Sequence, residues 1–326
     1  MIRFCRSAFA TALIGILPAC SHDTLVTADL AHVTLVAGSK CAIPKIADLP
    51  VTISDGHILV PMQVNGSEQL FILDTGSFTT SVTPELADAL RLPHVPQSTS
   101  SVGIGGATTT QDVRAKELAI GGFRFHNTDL ATVSITQSPA SSARAAGLIG
   151  APFLSAFDIE VDLPHQRIGL YGSRHCAEGF LPWAQPYSTL GADTTSDGHI
   201  VVTAMLDGKP FSAVIDTGAP RSLLITSASQ KLGLTIDDFA KDPQVRQPGA
   251  GRRSIVAHVH RFSRLSLGAE VFDHPLIEVG DARGFKAEML IGLDFLATHP
   301  VWFGYGTKQV FIGPAVPGHV AAGKAE

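Results

Sequence analysis

A repeat at a spacing of 142 residues constrains the fold of this chain more than any other feature. Most of the matching segments keep one register, and only the middle of each copy drifts, by five residues. The matching pairs are residues 55–58 and 197–200, 71–76 and 213–218, and 148–150 and 290–292. Self-similarity of this kind indicates two copies of one fold.

The repeat also predicts the domain boundaries. At about 100–200 residues per domain, 326 residues correspond to about two domains. The boundaries assign residues 1–19 to a signal peptide, 20–49 to a tether or pro-segment, 50–173 to an N-terminal lobe, 174–189 to a linker, 190–314 to a C-terminal lobe and 315–326 to a tail. An extra strand at the lobe interface is a third alternative for the segment before residue 50.

Each copy has the pattern of a mostly β fold. A short apolar run ends at an Asn-Gly or Asp-Gly pair, which is typical of a tight hairpin turn, and the returning run is almost wholly apolar. In the first copy, Thr83 and Pro84 form a typical helix start ahead of residues 85–92. The sequence therefore predicts an all-β class with small helices. The predicted strands are residues 58–64, 69–73, 159–162, 167–171, 200–206, 211–215 and 309–312, with a further candidate at 33–36.

The first twenty residues are typical of an export signal. Arg3 and Arg6 precede an apolar run at residues 7–17 that is too short to span a bilayer. The run ends in Leu-Pro-Ala-Cys, which resembles a bacterial lipobox with Cys20 as the lipidated residue. We expect a lipoprotein on the periplasmic side of the outer membrane, because Ser21 rather than aspartate follows the cysteine. An ordinary cleaved signal with a chance cysteine is the alternative.

The net charge and the cysteines bear on the binding partners of the chain and on disulfide formation. The net charge is −5, which argues against a nucleic-acid partner, since nucleic-acid binders normally carry a basic field. Outside the signal and Cys20, the remaining cysteines are Cys41 and Cys176, which bracket the first copy. In an oxidising compartment they favour a disulfide, and two buried free thiols are the alternative.

The tripeptide Asp-Thr-Gly occurs twice, at residues 74–76 and 216–218, each time at the end of an apolar strand. One copy alone would be a weak signal, because all three residues are common in turns. Two copies in register, each with an upstream hairpin and a downstream Leu-Ile-Gly, resemble the retropepsin-like aspartic proteases, in a bacterial form with two lobes on one chain. The resemblance covers about three quarters of the chain.

That resemblance implies both the fold and the chemistry. It implies two β-barrel lobes with the active site between them, and an aspartic endopeptidase that cleaves a protein or peptide substrate. Asp74 and Asp216 would share one proton as a coupled pair and activate a water held between them. The supporting residues of the two active-site loops are Thr75, Gly76 and Ser77, and Thr217, Gly218 and Ala219.

The resemblance further implies that each threonine hydroxyl bonds across to the opposite lobe and that the glycines let the backbone pass close to the carboxylates. The two copies differ at the next position, where Ser77 can offer a hydroxyl to Asp74 but Ala219 has none for Asp216. A hydrogen bond to the charged form of an acid lowers its pKa. We therefore expect Asp74 to ionise more readily than Asp216.

Other interpretations of the paired aspartates are weaker. Two structural turn aspartates would not explain why both copies keep all three residues. Glycosidases also use two acids, but their acids are not tied to two symmetric Asp-Thr-Gly turns. A catalytically silent peptide-binding module of the same fold is the alternative function, and loss of either aspartate would have favoured it.

Glycine-rich segments in both copies resemble the flap tips of retroviral proteases. Glycines permit a hairpin tip to fold over a ligand, and an ordinary glycine-rich turn is the alternative. The candidate flap residues are Gly103, Ile104, Gly105 and Gly106 in the first copy and Gly249 and Gly251 in the second.

The histidines predict neither a metal site nor a further catalytic residue. His258 and His260 share one strand face, as a metal pair could, but no nearby acid or cysteine completes a set. We therefore expect no metal and no cofactor. His57 and His199 recur at the same place in each copy, which we attribute to common ancestry rather than catalysis. Because one chain carries both half-sites, we expect a monomer.

Overall fold

The structure is a computed structural model that describes residues 26–28, 34–37, 42–103, 106–172, 183, 186–248, 254–281 and 287–316. Strands dominate, and the fold class is all-β, as predicted. Up to residue 172 the strands are β1 (Val26–Ala28), β2 (Thr34–Ala37), β3 (Ala42–Pro50), β4 (Thr52–Ser54), β5 (His57–Val64), β6 (Ser67–Asp74), β7 (Ser81–Val82), β8 (His94–Gly103), β9 (Gly106–Ile120), β10 (Phe123–Thr132), β11 (Gly147–Gly150), β12 (Phe157–Asp162) and β13 (Arg167–Gly172).

The second half of the chain adds thirteen strands to the described structure. They are β14 (Ser188–Gly191), β15 (Asp193–Thr194), β16 (Ile200–Leu206), β17 (Lys209–Ile215), β18 (Leu223–Ile225), β19 (Gln244–Pro248), β20 (Ser254–Arg261), β21 (Arg264–Leu267), β22 (Glu270–Asp273), β23 (Leu276–Gly280), β24 (Met289–Ile291), β25 (Val301–Gly304) and β26 (Gln309–Ile312). The α-helices are α1 (Pro84–Ala89), α2 (Ala151–Leu154) and α3 (Leu293–Leu296), and 3-10 helices span Leu163–His165, Thr226–Leu232 and Ile236–Phe239.

Two sheets, one in each copy, share the same pairing around their central strands. The first runs in the order β1-β10-β7-β11-β6-β5-β9-β8, with β4 paired to β5, and the second runs β19-β20-β23-β18-β24-β17-β16-β21-β22, with β15 paired to β16. In both, the strand that leads into Asp-Thr-Gly pairs in parallel with the Leu-Ile-Gly strand: β6 with β11 and β17 with β24. The two sheets are the two lobes that the repeat predicts.

A third sheet joins the lobes in the order β14-β26-β25-β12-β13-β3-β2. Its centre is the antiparallel pair β12 and β25, one strand from each lobe. Strand β3 pairs with β13 at one side and β14 pairs with β26 at the other. Residues 42–50, part of the segment for which the sequence left three alternatives open, thus form a strand of this interlobe sheet.

Local sequence explains the hairpins and the first helix. Asn65 and Asp207 have φ of 50° and 45°, and the glycines that follow them also have positive φ, which is the geometry of the tight turn that the pairs predict. Thr83 caps α1 by accepting from the Leu86 amide at 3.3 Å, and Pro84 takes the first helical position, as expected. The helix ends at Ala89, three residues before the predicted end at Leu92.

The apolar strand faces of both lobes form one hydrophobic core that runs through the interlobe sheet. Phe71 and Leu73 of β6 and Phe211 and Ile215 of β17 are almost fully buried in it, so each strand that carries an Asp-Thr-Gly turn is rigidly anchored. Within the described ranges, no helix is long and apolar enough to cross a membrane.

Candidate active site

The two Asp-Thr-Gly turns follow directly from β6 and β17. Asp74 is the last residue of β6 and pairs in parallel with Gly150, while the amide of Asp216 donates to the carbonyl of Ile291 at 2.8 Å. Each loop closes in the same way, because the Ser77 amide donates to the carbonyl of Asp74 and the Ala219 amide to that of Asp216, both at 3.3 Å. The Leu-Ile-Gly strands therefore lie beside the two Asp-Thr-Gly loops.

The two threonines lock the loops together across the lobes. The amide of Thr75 donates to Oγ1 of Thr217 and the amide of Thr217 donates to Oγ1 of Thr75, both at 3.0 Å. Each hydroxyl in turn donates to a carbonyl of the opposite lobe, Thr75 to Ile215 at 2.7 Å and Thr217 to Leu73 at 2.6 Å. Both side chains are buried, so these four bonds are shielded from water.

The glycines bring the carboxylates together. The amide of Gly76 donates to Oδ1 of Asp74 at 3.0 Å, and the amide of Gly218 donates to Oδ1 of Asp216 at 2.8 Å. Each glycine also makes room for the acid of the other lobe: a Cβ on Gly76 would overlap the carboxylate of Asp216, and one on Gly218 would overlap that of Asp74. Each carboxylate therefore lies against the backbone of both loops.

Burial and mutual repulsion set the proton content of the pair. Burial raises the pKa of Asp74 well above the ordinary 3.8, and the charge of Asp216 raises it further. Burial also raises the pKa of Asp216, although hydrogen bonds from the backbone of Gly218 act to lower it. Two neighbouring carboxylates do not both ionise cheaply in such a site, so the pair retains one proton at a pH where two separate aspartates would be charged.

The expected contact between Ser77 and Asp74 is corrected by the structure. The Ser77 hydroxyl turns away from Asp74 and donates to the carbonyl of Thr79 at 3.0 Å. The serine therefore gives no physical reason for Asp74 to ionise more readily than Asp216. Its side chain shapes the loop that follows the glycine instead.

Two histidines for which the sequence predicts no role lie near the Asp-Thr-Gly loops. Nε2 of His199 is 3.1 Å from the carbonyl oxygen of Gly76, in the opposite lobe. Burial lowers the pKa of His57, whereas the backbone of Gly218, again in the opposite lobe, acts to raise it, as a nearby carbonyl acceptor does. The signal was present in the sequence, because the Asp-Gly-His turn recurs at the same spacing as Asp-Thr-Gly.

Comparison with known families agrees with this geometry. A sequence model described as aspartyl protease matches residues 60–153 and, a second time, residues 202–295, which together are more than half of the chain. The chain belongs to the aspartyl protease family. Each match contains one Asp-Thr-Gly turn and its Leu-Ile-Gly strand, and each ends three residues after that strand, at residues 153 and 295.

A solved structure of an aspartic proteinase shares the overall fold. The aspartic proteinase from Irpex lacteus matches with a TM-score of 0.50 at 10% identity, covering 85% of this chain and 98% of that one. The Basic 7S globulin from soybean matches with a TM-score of 0.46 at 13% identity, covering 82% and 94%. No individual curated protein sequence matches the chain.

The candidate flap residues lie partly outside the described residues. Strands β8 and β9 pair up to Gly103 and Gly106, and Ile104 and Gly105 lie outside the described residues. In the second lobe, β19 and β20 pair up to Pro248 and Ser254, and Gly249 and Gly251 also lie outside them. Both segments are thus flanked by hairpin arms.

Three other residues with predicted roles lie outside the described ranges, namely Cys20, Cys41 and Cys176. The lipid site and the disulfide therefore stay predictions. His260 is described and is 2.7 Å from Asp242, between the rings of Phe239 and Phe262, where it has a structural role. Among the described residues, no three His, Cys, Asp or Glu side chains come together as a metal site would require.

Proposed function

We propose that the chain is an aspartic endopeptidase that hydrolyses peptide bonds with a water activated between Asp74 and Asp216. One observation carries this proposal: two carboxylates from the two lobes meet over the glycines of the opposite loops. Asp216 is buried and Asp74 only partly so, which leaves one side of the pair open to water. A binding module would have no use for this costly pair of acids.

The chemistry follows from the proton that the pair shares. The ionised carboxylate takes a proton from the bound water while the protonated carboxyl donates to the carbonyl oxygen of the scissile peptide. The resulting tetrahedral diol collapses when the pair returns a proton to the amide nitrogen, and the C–N bond breaks. One water is consumed, and a carboxylic acid and an amine leave, with no covalent bond to the protein.

The raised pKa of the pair predicts the pH range of this activity. Water activation needs one charged and one neutral carboxyl, so the rate falls when both are protonated and again when both are ionised. Because burial and mutual repulsion raise the pKa of Asp74, the singly protonated form persists to higher pH than it would for free aspartates. We therefore expect a bell-shaped profile.

The direct test compares the wild-type chain with Asp74→Asn and Asp216→Asn on a peptide library between about pH 4 and about pH 7. Either substitution should abolish cleavage, since the remaining acid has no partner with which to share a proton. Asp193→Asn is the matched control, because Asp193 lies exposed on β15, and its activity should equal that of the wild-type chain.

Binding of a statine peptide, which mimics the tetrahedral diol, separates the two candidate functions. Cleavage by the wild-type chain together with tight statine binding supports the protease. Statine or peptide binding without cleavage would instead support the catalytically silent module. Undiminished cleavage by both asparagine variants would show that the chemistry lies elsewhere.

We also propose, on sequence grounds, that the chain is exported and anchored through a lipid on Cys20. The support is the basic start, the short apolar run and the cysteine that ends it. Labelling of expressing bacteria with radioactive palmitate should mark the wild-type chain and leave Cys20→Ser unlabelled. A Cys20→Ser chain that keeps the label would overturn the anchor.

A further inference from the structure

The two recurring histidines face the catalytic loops in the same way in both lobes. Each follows an Asp-Gly turn at the start of a strand, β5 for His57 and just before β16 for His199. Each lies across the lobe boundary from the glycine of the opposite Asp-Thr-Gly: Nε2 of His199 is 3.1 Å from the carbonyl oxygen of Gly76, and the backbone of Gly218 acts to raise the pKa of His57. The contact is therefore part of the approximate two-fold relation between the lobes.

The ring of His199 is held in place from several directions. Its own amide donates to the hydroxyl of Thr195 at 3.1 Å, and that hydroxyl is 3.4 Å from Nδ1. The ring also meets the ring of Phe78 edge-on, with centroids 4.4 Å apart. Because a carbonyl oxygen can only accept, the ring proton that points at Gly76 is on Nε2.

The turn that carries His57 docks in the corresponding place. A Cβ on Gly56 would lie 3.7 Å from Pro220, which is two residues after Gly218, just as Phe78 is two residues after Gly76. Burial lowers the pKa of His57, so its ring is neutral near neutral pH and has a single N–H to donate. The turn that carries His57 therefore lies beside Pro220, the position equivalent to Phe78, which packs against His199.

The glycine carbonyl is a sensitive place for such a contact. The amide of Gly76 orients Asp74, and its α-carbon is the surface against which Asp216 lies. Glycine has the most conformational freedom of any residue. A restraint on the carbonyl group of Gly76 therefore helps to hold Asp74 and Asp216 in place. The imidazole of His199 supplies that restraint from the lobe that carries Asp216.

We propose that His57 and His199 are reciprocal positioning residues of the dyad, each fixing the glycine backbone that orients one aspartate and supports the other. The proposal rests on the proposed function, because positioning matters to the rate only if the dyad performs the hydrolysis. Neither histidine touches the reacting atoms. Their effect is to keep the two carboxylates at the separation at which they share a proton.

The test compares His199→Leu with His199→Gln in the full chain, and makes the same two changes at His57. Leucine removes the donor, whereas glutamine keeps an N–H at about the position of Nε2. The leucine variants should lose about 10- to 100-fold in kcat, with KM changed less than about threefold, because misplaced groups chiefly impair the transition state. The glutamine variants should recover most of the loss.

Rates are expressed per active site titrated with the statine peptide, so that unfolded protein does not count. His165→Leu is the control, since that side chain is 62% exposed, and its kcat should equal the wild-type value. A leucine variant with unchanged kcat per titrated site would overturn the proposal, as would a loss that glutamine does not restore.

Carbon-13 titration of the aspartate carboxyls separates failure of this proposal from failure of the proposed function. If the wild-type chain does not cleave, the protease proposal fails, but a shift of the dyad titration in His199→Leu that is reversed in His199→Gln still supports positioning. A dyad titration that is identical in the wild-type chain and the leucine variants would overturn it.

Discussion

The amide of Thr75 donates to the hydroxyl of Thr217, and the amide of Thr217 donates to the hydroxyl of Thr75, at the same distance of 3.0 Å. Each hydroxyl thereby joins a backbone amide and a backbone carbonyl of the opposite lobe. The relation is reciprocal because the two loops are copies of one motif, 142 residues apart. The catalytic loops are thus one hydrogen-bonded unit rather than two loops in contact.

Thr75→Val should destabilise the chain by removing this link while keeping the shape of the side chain. The amide of Thr217 and the carbonyl of Ile215 would be left buried without their partner, at a cost of about 1–3 kcal/mol for each group. Urea unfolding measures the loss. Thr75→Ser keeps the hydroxyl and should cost about 1 kcal/mol, so equal losses in the two variants would contradict the role of the hydroxyl.

Gly76→Ala should disable the site by adding one methyl group, whereas Thr75→Val removes a hydroxyl. The new Cβ would overlap the carboxylate of Asp216, so the lobes or the acid must shift, which typically costs about 1–3 kcal/mol and removes the dyad geometry. Cleavage should fall more than about 100-fold.

The matched control for Gly76→Ala is Gly191→Ala, because a Cβ on Gly191 meets nothing within 4 Å. Its free energy of unfolding should change by no more than about 0.5 kcal/mol, and its cleavage rate should not change. Full activity in Gly76→Ala would show that Asp216 does not need its observed position.

Asp74→Asn should raise the stability of the chain, and more so at neutral pH than in acid. The raised pKa means that between the ordinary 3.8 and the pKa in the folded chain, the folded protein binds more protons than the unfolded chain. The free energy of unfolding of the wild-type chain therefore falls as the pH rises through this range, whereas the asparagine has no such titration.

Thermal unfolding of the wild-type chain and of Asp74→Asn at about pH 4 and about pH 7 tests this pH dependence. Each 1 kcal/mol of added stability should raise Tm by about 2–4 °C. The gain in Tm from Asp74→Asn should be larger at the higher pH. Asp193→Asn serves as the control. A gain that is the same at both values, or larger in acid, would show that the dyad does not titrate with a raised pKa.

The internal repeat explains why much of the site could be predicted from the sequence. Two aspartates that end equivalent strands of a duplicated fold face each other when the lobes pack about a two-fold axis that passes between their loops, and the threonines beside them then meet as well. The hairpin turns and the start of α1 were predicted from local rules, because Asn65, Asp207 and Thr83 act on their immediate neighbours.

The contacts that could not be predicted from the sequence depend on how the chain packs in three dimensions. The contact between His199 and Gly76 joins residues 123 apart, and only the recurrence of the Asp-Gly-His turn in both copies points to it. The direction of the Ser77 hydroxyl is a choice of rotamer, which the Thr79 carbonyl decides in the folded chain. Glu160 alternates with apolar residues in β12, yet it is buried, and Tyr171 and Trp183 donate hydrogen bonds to its carboxylate.

Glu160 is the centre of a polar cluster that we expect to contribute strongly to stability. It is fully buried and accepts hydrogen bonds from Arg167 at 2.6 Å, from the Tyr171 hydroxyl at 2.7 Å and from Nε1 of Trp183 at 2.7 Å. Trp183 belongs to the predicted linker between the lobes, so this acid ties the linker to the interlobe sheet. Burial and the charge of Glu160 also raise the pKa of Tyr171, which keeps its hydroxyl as a donor.

Glu160→Leu should lower the free energy of unfolding by about 1–3 kcal/mol for each of the two donors that it leaves without an acceptor, Tyr171 and Trp183, whereas Arg167 keeps its bond to Asp162. Glu160→Gln keeps one acceptor oxygen and should lose less, and Trp183→Phe removes a single bond and should lose about 1–3 kcal/mol. Urea unfolding followed by circular dichroism measures all three without relying on tryptophan fluorescence. If Glu160→Leu proves as stable as the wild-type chain, the cluster contributes no net stability, since apolar packing would then replace the buried charge without loss.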